Sequence, residues 1–572
     1  MAYDKRLWMR YLPGKILLAA SLAWFFAVHA VGETVLLPMA DGTRLATDLY
    51  LPDGPGPFPV VLVRTTYNKN NLDKNARNFM RQGYASVMQD TRGLMASEGT
   101  FTGFADGGWG AHRDGADTVA WIRKQSWCNG KVASWGPSAL GITQVMLAGA
   151  GADMTCQYIQ VAASNFYDQV SYQGGVLRKN LVEEWLKSRG TPHVIGIYKS
   201  HPYYDGYWAL FNAEIRAPEI TAPAVHIGGW YDVFAKGTLN NFVSRQQNGA
   251  KGARGNQKLI MGPWPHVVMQ EYGDLKFPDN YNFDLSGYRQ RFFKYWLLGE
   301  QNGIMAEPAV HYYTMGDCSD PDAPGNQWRS ADHWPPFPAR ETPYYLAWDE
   351  EPDRVDRGPE KGDGLALDSG PNHSGNLTAN LGQIHDATAG YDYDPANPCP
   401  THGGANLRMG PLDGGPFDQR QLARRPDVLT FSTPPLEKPL EITGAVRLKL
   451  YVSTSATDTD FTAKLLDIYP DGRQILLTDN IQRVKLRNGF ERPDLLPPGA
   501  VGELTIDLWS LSLVLNRAHR IGLQISSSNY PRFEKNPNTG DDFPEGEHRQ
   551  IAHNTIHMGP THPSALLLPV RP

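Results

Sequence analysis

Val132-Ala133-Ser134-Trp135-Gly136-Pro137-Ser138-Ala139-Leu140-Gly141 passes without a break into the apolar run Ile142 to Gly149. The first four residues read as a strand and the run from Ile142 as a buried helix. The glycines at the join permit a sharp turn that a Cβ would hinder. A strand entering, a helix leaving and Ser138 at the apex describe a nucleophile elbow, which lifts a serine hydroxyl above the edge of a sheet. The spacing here is G-x-S-x-x-G rather than the more familiar G-x-S-x-G. By itself the motif also fits a turn around a surface serine, so the flanking strands decide.

Upstream, Thr34 to Leu37 and Arg44 to Tyr50 read as strands around a turn at Asp41-Gly42. Val60-Val61-Leu62-Val63 is wholly apolar, as in a strand covered on both faces of a parallel sheet. Residues 72–82 read as a helix, Tyr84 to Gln89 as a strand and Thr118 to Lys124 as an amphipathic helix. Strands alternating with helices imply an α/β fold. Residues 166–213, rich in aromatics, Lys and Glu, interrupt the alternation like an inserted cap, and it resumes at Ala224 to Ile227 and Lys258 to Met261. Just past these two strands stand Asp232, in Gly228-Gly229-Trp230-Tyr231-Asp232, and His266, in Gly262-Pro263-Trp264-Pro265-His266. Ser, Asp, His is the α/β-hydrolase order, with all three at strand C-terminal ends, where open α/β sheets gather their sites. A serine hydroxyl is a poor nucleophile until a histidine accepts its proton, and an aspartate fixes the imidazole tautomer. The Ala139 backbone N–H is then one donor to the oxyanion.

The chain has 572 residues with 57 Gly and 44 Pro, well above the roughly 12% combined share of average proteins. That excess indicates many turns and short strands. Residues 320–425 are dense in Pro, Gly, Asp and Asn with few periodic segments. From Val428, short alternating strands recur at Val446 to Val452, Phe461 to Ile468, Leu504 to Leu508, Arg520 to Ser526 and Ala565 to Val570, the pattern of a β-sandwich or jelly roll. The expected architecture is an α/β-hydrolase core with an inserted helical cap and a C-terminal β jelly-roll domain. Its parts are core 31–165, cap 166–213, core 214–338 and jelly roll 339–572.

Residues 1–30 stand apart. Lys5, Arg6, Arg10 and Lys15 precede an uncharged run from Ile16 to Val28, and Val28-His29-Ala30 ends in a small residue. This is the form of a secretory signal peptide, and the run is shorter than the roughly 20 residues that span a bilayer. An uncleaved anchor is the alternative. Removing this segment moves the net charge from −6 to −9, which argues against a nucleic-acid partner held by counterion release. Cys128, Cys156, Cys318 and Cys399 are too scattered for a disulfide framework; an oxidising compartment permits a bridge, with Cys128 and Cys156 nearest in sequence, and four buried thiols fit equally.

Many further segments carry a resemblance: Asp41-Gly42-Thr43-Arg44-Leu45-Ala46-Thr47-Asp48, Arg64-Thr65-Thr66-Tyr67, Gln89-Asp90-Thr91-Arg92-Gly93, Trp127-Cys128-Asn129-Gly130, Thr459-Asp460-Phe461 and Asn536-Pro537-Asn538-Thr539-Gly540. Together with the elbow they make the sequence similar to the CocE/NonD (cocaine-esterase-like) serine hydrolases, relatives of the Xaa-Pro dipeptidyl-peptidases and α-amino-acid ester hydrolases. The resemblance places Ser138, Asp232 and His266 on the family's triad, and Tyr67 on the tyrosine whose hydroxyl joins the Ala139 amide in the oxyanion hole. It implies a hydrolase of small-molecule esters or amides working through an acyl-enzyme, with no cofactor, and the N-terminal segment adds that it is secreted or periplasmic. Xaa-Pro dipeptidyl-peptidase and β-lactam acylase activities are the enzymatic alternatives. A glycan- or surface-binding protein with a degenerate hydrolase domain is the non-enzymatic one. Three features depart from the family. Ala139 stands where a tyrosine is usual, which predicts a roomier pocket beside it; Pro137 precedes the serine; and the cap is short.

Trp135, Trp230, Tyr231 and Trp264 flank the expected site, either as substrate-pocket walls or as ordinary core. His553, His557 and His562 fall on strand and turn rather than on one helix face, which reads against a metal site. Asp458 and Asp460 lack a following calcium-ligand series.

Overall fold

The computed structural model describes residues 31–348, 374–543 and 548–572; the expected export segment, residues 1–30, lies outside them. The chain begins with the antiparallel pair β1 (Val31–Pro38) and β2 (Arg44–Tyr50). Then come β3 (Phe58–Thr65), α1 (Asp73–Arg81), β4 (Ala85–Asp90), α2 (Asp114–Arg123), β5 (Cys128–Pro137), α3 (Ala139–Gly149) and β6 (Cys156–Gln160). Val60 to Thr65 of β3 and all of β4 are buried, as strands covered on both faces must be. Every residue of α3 is buried too, so this helix is apolar all round because it has no solvent face.

A π-helical turn (Tyr167–Ser171), the hairpin β7 (Tyr172–Gln173) and β8 (Val176–Leu177), and the helices α4 (Lys179–Ser188), α5 (His193–Lys199) and α6 (Gly206–Ala209) make up the insertion. The sheet resumes with β9 (Ala224–Gly229), α7 (Ala235–Asn248) and β10 (Gln257–Gly262). A small hairpin, β11 (Glu271–Tyr272) and β12 (Leu275–Lys276), then α8 (Leu285–Phe293), β13 (Val310–Thr314) and β14 (Gln327–Ala331) complete it. Across the sheet the order is β1-β2-β4-β3-β5-β6-β9-β10-β13-β14, parallel from β4 through β13. The chain winds one way from β3 to β4 and the other way from β5 onwards. The C-terminal ends of β5, β9 and β10 therefore open on one crevice, where such sheets place their ligands.

The polar residues in the Gln89–Gly93 stretch are interior struts. Arg92 makes a bidentate pair with the fully buried Asp114, at 2.9 and 2.7 Å, and reaches Asp41 at 2.7 Å. Arg64 donates to Gln89 Oε1 at 2.8 Å. Removing one partner from such a buried pair leaves an uncompensated charge, at a cost of about 3–5 kcal/mol.

Beyond Arg340 the described residues are β-rich and form a second, eleven-stranded sheet. Its longest pairing runs antiparallel between Leu440–Thr454 and Gly502–Leu515. Residues 320–425, expected to be largely irregular, contain the strands Gln327–Ala331, Arg340–Ala347, Ser374–Thr378 and Ala387–Tyr393. In the last of these Ala389, Tyr391 and Tyr393 are buried while Thr388, Gly390 and Asp392 are exposed, so its outer face has the composition of a loop. The two sheets share one core: Met315, just past β13, exchanges backbone hydrogen bonds with Ser512 and Val514, both at 2.9 Å. All four cysteines are free thiols, and Cys128 and Cys156 are not bridged. Among the described residues no helix is long and apolar enough to cross a membrane.

Candidate active site

The elbow is strained and held. Ser138 adopts φ 59° and ψ −127°, a conformation that costs a non-glycine residue about 1–3 kcal/mol and persists only where its surroundings enforce it. Its amide donates to Gln160 O at 2.9 Å, and its carbonyl accepts from Ile142 N at 2.8 Å. Gly136 has φ 148°, and a Cβ there would lie 2.5 Å from Leu140 Cβ. A Cβ on Gly141 would lie 2.9 Å from both Gln160 O and Ala162 Cβ. The unusual spacing thus has a cause: Gly136 makes room for Leu140, and Gly141 lets α3 start against β6. Buried Gln144, not foreseen from the sequence, donates to Gly136 O at 3.0 Å and Tyr158 O at 3.2 Å and accepts from Ser134 Oγ at 2.8 Å.

The acid and histidine loops are laced together. Trp230 N donates to Gly262 O at 3.0 Å and Tyr231 N to Trp264 O at 3.1 Å. Asp232 then closes a tight turn onto Gly229 O at 3.0 Å, and Ala235 N donates back to Asp232 O at 3.0 Å as α7 begins. The Asp232 side chain is fully buried. His266 Nδ1–H donates to Asp232 Oδ1 at 2.7 Å, and Ser138 Oγ–H donates to His266 Nε2 at 2.8 Å. A carboxylate only accepts, so the proton sits on Nδ1 and leaves Nε2 free to take the serine proton. Phe234 packs edge-on against the imidazole with centroids 5.5 Å apart. Behind the acid loop, buried Arg178 donates to Gln169 O at 2.6 Å and Val233 O at 3.1 Å, joining the insertion to that loop. Burial pushes its guanidinium down to about 9, helped by Arg532 and opposed by Asp232.

Ser138 opens on a largely apolar pocket of about 40 Å³, walled by Ala139 and Ile142 of α3, by Phe104, Phe166 and Val170, by Leu181, Val182, Trp185 and Leu186 of α4, by Tyr198 of α5, and by Phe234 and Leu407. That is space for roughly three waters. Among the described residues the walls contain no Asp, Glu, Lys or Arg. Ala139 lines the pocket together with the rings of Phe104, Phe166, Trp185 and Phe234. Tyr67 sits under the insertion, its hydroxyl accepting from Trp185 Nε1–H at 2.9 Å. The Ala139 N–H belongs to the first residue of α3, so it has no partner within the helix.

The four flanking aromatics do not line this pocket. Trp135 packs on Phe79, Trp230 on Trp334 with its N–H on Tyr313 O at 2.7 Å, Tyr231 on Phe277 with its hydroxyl toward Leu476 O at 3.3 Å, and Trp264 on Trp328. Past the end of β9 both Trp230 and Tyr231 turn into the core shared with the β-rich domain. The actual walls Phe104, Phe166, Trp185 and Leu407 are distant in sequence and carry no local signal. Ala139 and Ile142, beside the nucleophile, and Phe234, two residues past the acid, are the walls that lie near catalytic residues along the chain.

Sheet order, elbow and hydrogen-bonded Ser–His–Asp chain define an α/β-hydrolase with a C-terminal β-rich domain. Residues 41–195 and 187–268 match the X-Pro dipeptidyl-peptidase (S15 family) model, and residues 302–567 match that of the X-Pro dipeptidyl-peptidase C-terminal non-catalytic domain. A cocaine esterase from Rhodococcus sp. (strain MB1 Bresler) is 34% identical over 602 residues, covering 95% of this chain and 99% of that protein. The chain belongs to the cocaine-esterase-like (CocE/NonD) family and is a serine hydrolase. Among solved structures, an aminopeptidase from a marine sediment archaeon (Thaumarchaeota) shares the fold with TM-score 0.77 at 22% identity, covering 99% of both chains. An α-amino acid ester hydrolase does so with TM-score 0.74 at 23% identity, covering 97% of this chain and all of that one.

Proposed function

We propose that the chain is an exported carboxylic ester hydrolase that takes small apolar acyl groups and works through an acyl-enzyme on Ser138. The carrying observation is the Asp232–His266–Ser138 hydrogen-bonded chain opening on a pocket without charged walls. Ser138 Oγ attacks the ester carbonyl as its proton passes to His266 Nε2, and buried Asp232 stabilises the imidazolium. The Tyr67 hydroxyl and Ala139 N–H hold the developing oxyanion. His266 then protonates the leaving alkoxide, and water, deprotonated by the same imidazole, releases the acid. A dipeptidyl-peptidase or an amino-acid acylase has an α-ammonium to bind, and an apolar wall supplies no carboxylate for it. This favours the ester over the Xaa-Pro or β-lactam side-chain amide.

Purified enzyme assayed on p-nitrophenyl esters, amino-acid esters, Xaa-Pro anilides and β-lactam side-chain amides is expected to turn over the simple esters fastest. Ser138→Ala is expected to abolish both turnover and fluorophosphonate labelling with an unchanged melting temperature; normal turnover by that variant overturns the assignment. Export rests on the charged start and apolar run of residues 1–30. N-terminal sequencing of the exported protein is expected to find those residues removed.

A further inference from the structure

Trp185 is a pocket wall whose polar atom meets the expected oxyanion machinery. Its indole N–H has only a donor's capacity, and it donates to the Tyr67 hydroxyl oxygen at 2.9 Å. We propose that Trp185 is a positioning residue that aims the Tyr67 O–H at the oxyanion, so that the insertion helix α4 sets the oxyanion donor as well as the acyl pocket. The inference rests on Tyr67 being the second oxyanion donor, as proposed above.

A phenolic hydroxyl lies in its ring plane and chooses between two directions. An indole donor on one side of the oxygen leaves the proton the other side. The phenol that accepts a hydrogen bond is also polarised, and donates more strongly in turn. Trp185 is itself fixed: its ring stacks on Phe104 with centroids 5.5 Å apart and planes at 21°, touches Phe101 at 6.3 Å, and meets Tyr67 edge-on at 6.4 Å and 88°. One turn further on, at the residue that caps the C-terminal end of α4 and on the same face, the Arg189 guanidinium lies 4.8 Å over the Tyr67 ring. One helix therefore presents a donor to the tyrosine's oxygen and a cation to its ring. For an apolar wall alone, a phenylalanine at 185 would serve as well, and an indole N–H would bring only a polar group to satisfy.

The test is a double-mutant cycle on p-nitrophenyl acetate. Trp185→Phe keeps an aromatic wall against Phe104 and removes the donor. It is expected to lower kcat about tenfold with KM changed less than about twofold, against the roughly 10²–10³ for removing an oxyanion donor outright. In a Tyr67→Phe background the same substitution is expected to cost no further kcat. Benzothienylalanine at position 185 keeps the indole shape without the N–H, and is expected to reproduce the kcat loss even if Trp185→Phe folds poorly. Unchanged kcat with a raised KM, or a full additional loss in the Tyr67→Phe background, overturns the positioning role. Undiminished kcat in Tyr67→Phe alone overturns the oxyanion reading, which is a separate and distinguishable failure.

Discussion

Gly229 and Trp264 approach so closely that a Cβ on Gly229 would lie 2.0 Å from the Trp264 carbonyl oxygen. The loops carrying Asp232 and His266 are pressed together at this point, and the same carbonyl accepts from Tyr231 N. The 2.7 Å Asp232–His266 bond is thereby set by backbone contact, not by the two side chains alone.

Gly229→Ala is therefore expected to part the two loops. Misplacement of a catalytic group by about 1 Å is enough for a loss near 10² in rate, so kcat on a p-nitrophenyl ester is expected to fall by about that factor. Overpacking also costs about 1–3 kcal/mol, visible as a lower melting temperature. Wild-type kcat in this variant would show that the contact does not hold the pair.

Leu407 reaches the pocket from the β-rich domain and is expected to limit acyl size. Leu407→Ala is expected to raise kcat/KM for benzoyl relative to acetyl p-nitrophenyl esters by about tenfold, the low end of what apolar pocket contacts discriminate. An unaltered ratio would remove Leu407 from the acyl site.

His226 on β9 is buried, donating from Nε2 to Gln257 Oε1 at 3.0 Å. Burial pushes its pKa from 6.5 down to about 3, Arg245 adds to the fall and Gln257 opposes it. Below pH 6.5 the unfolded chain takes up a proton that the folded chain refuses until near pH 3. Stability is thus complete above the unfolded value and drains as pH falls through that window, by at most about 1.4 kcal/mol per pH unit. Urea midpoints at pH 7 and pH 4.5 are expected to differ less in His226→Asn than in the wild type. Equal pH dependence would mean that another group controls acid unfolding.

With four free thiols, dithiothreitol is expected to leave the melting temperature unchanged. Burial raises the Cys128, Cys156, Cys318 and Cys399 pKa values, so Ellman's reagent is expected to react slowly until the protein is denatured. A drop in melting temperature of several degrees on reduction would reveal a bridge.

The α/β core, the elbow and the Ser, Asp, His order were legible in the sequence because each depends on near neighbours. Period-two and helical patterning mark the strands and helices, and a strand–turn–helix join needs small residues at Gly136 and Gly141 whatever lies around it. The edge strands of the β-rich domain were not legible, since an exposed face of Thr, Gly and Asp, as at Ala387–Tyr393, has the composition of a loop. Nor was the pocket. Closeness to Asp232 and His266 along the chain pointed to Trp230, Tyr231 and Trp264, yet the direction a side chain takes at a strand end depends on what packs there. Phe104, Trp185, Phe234 and Leu407 converge on Ser138 from four separate segments. Only tertiary packing brings them together, because contacts between residues on separate segments leave no periodic trace in the chain.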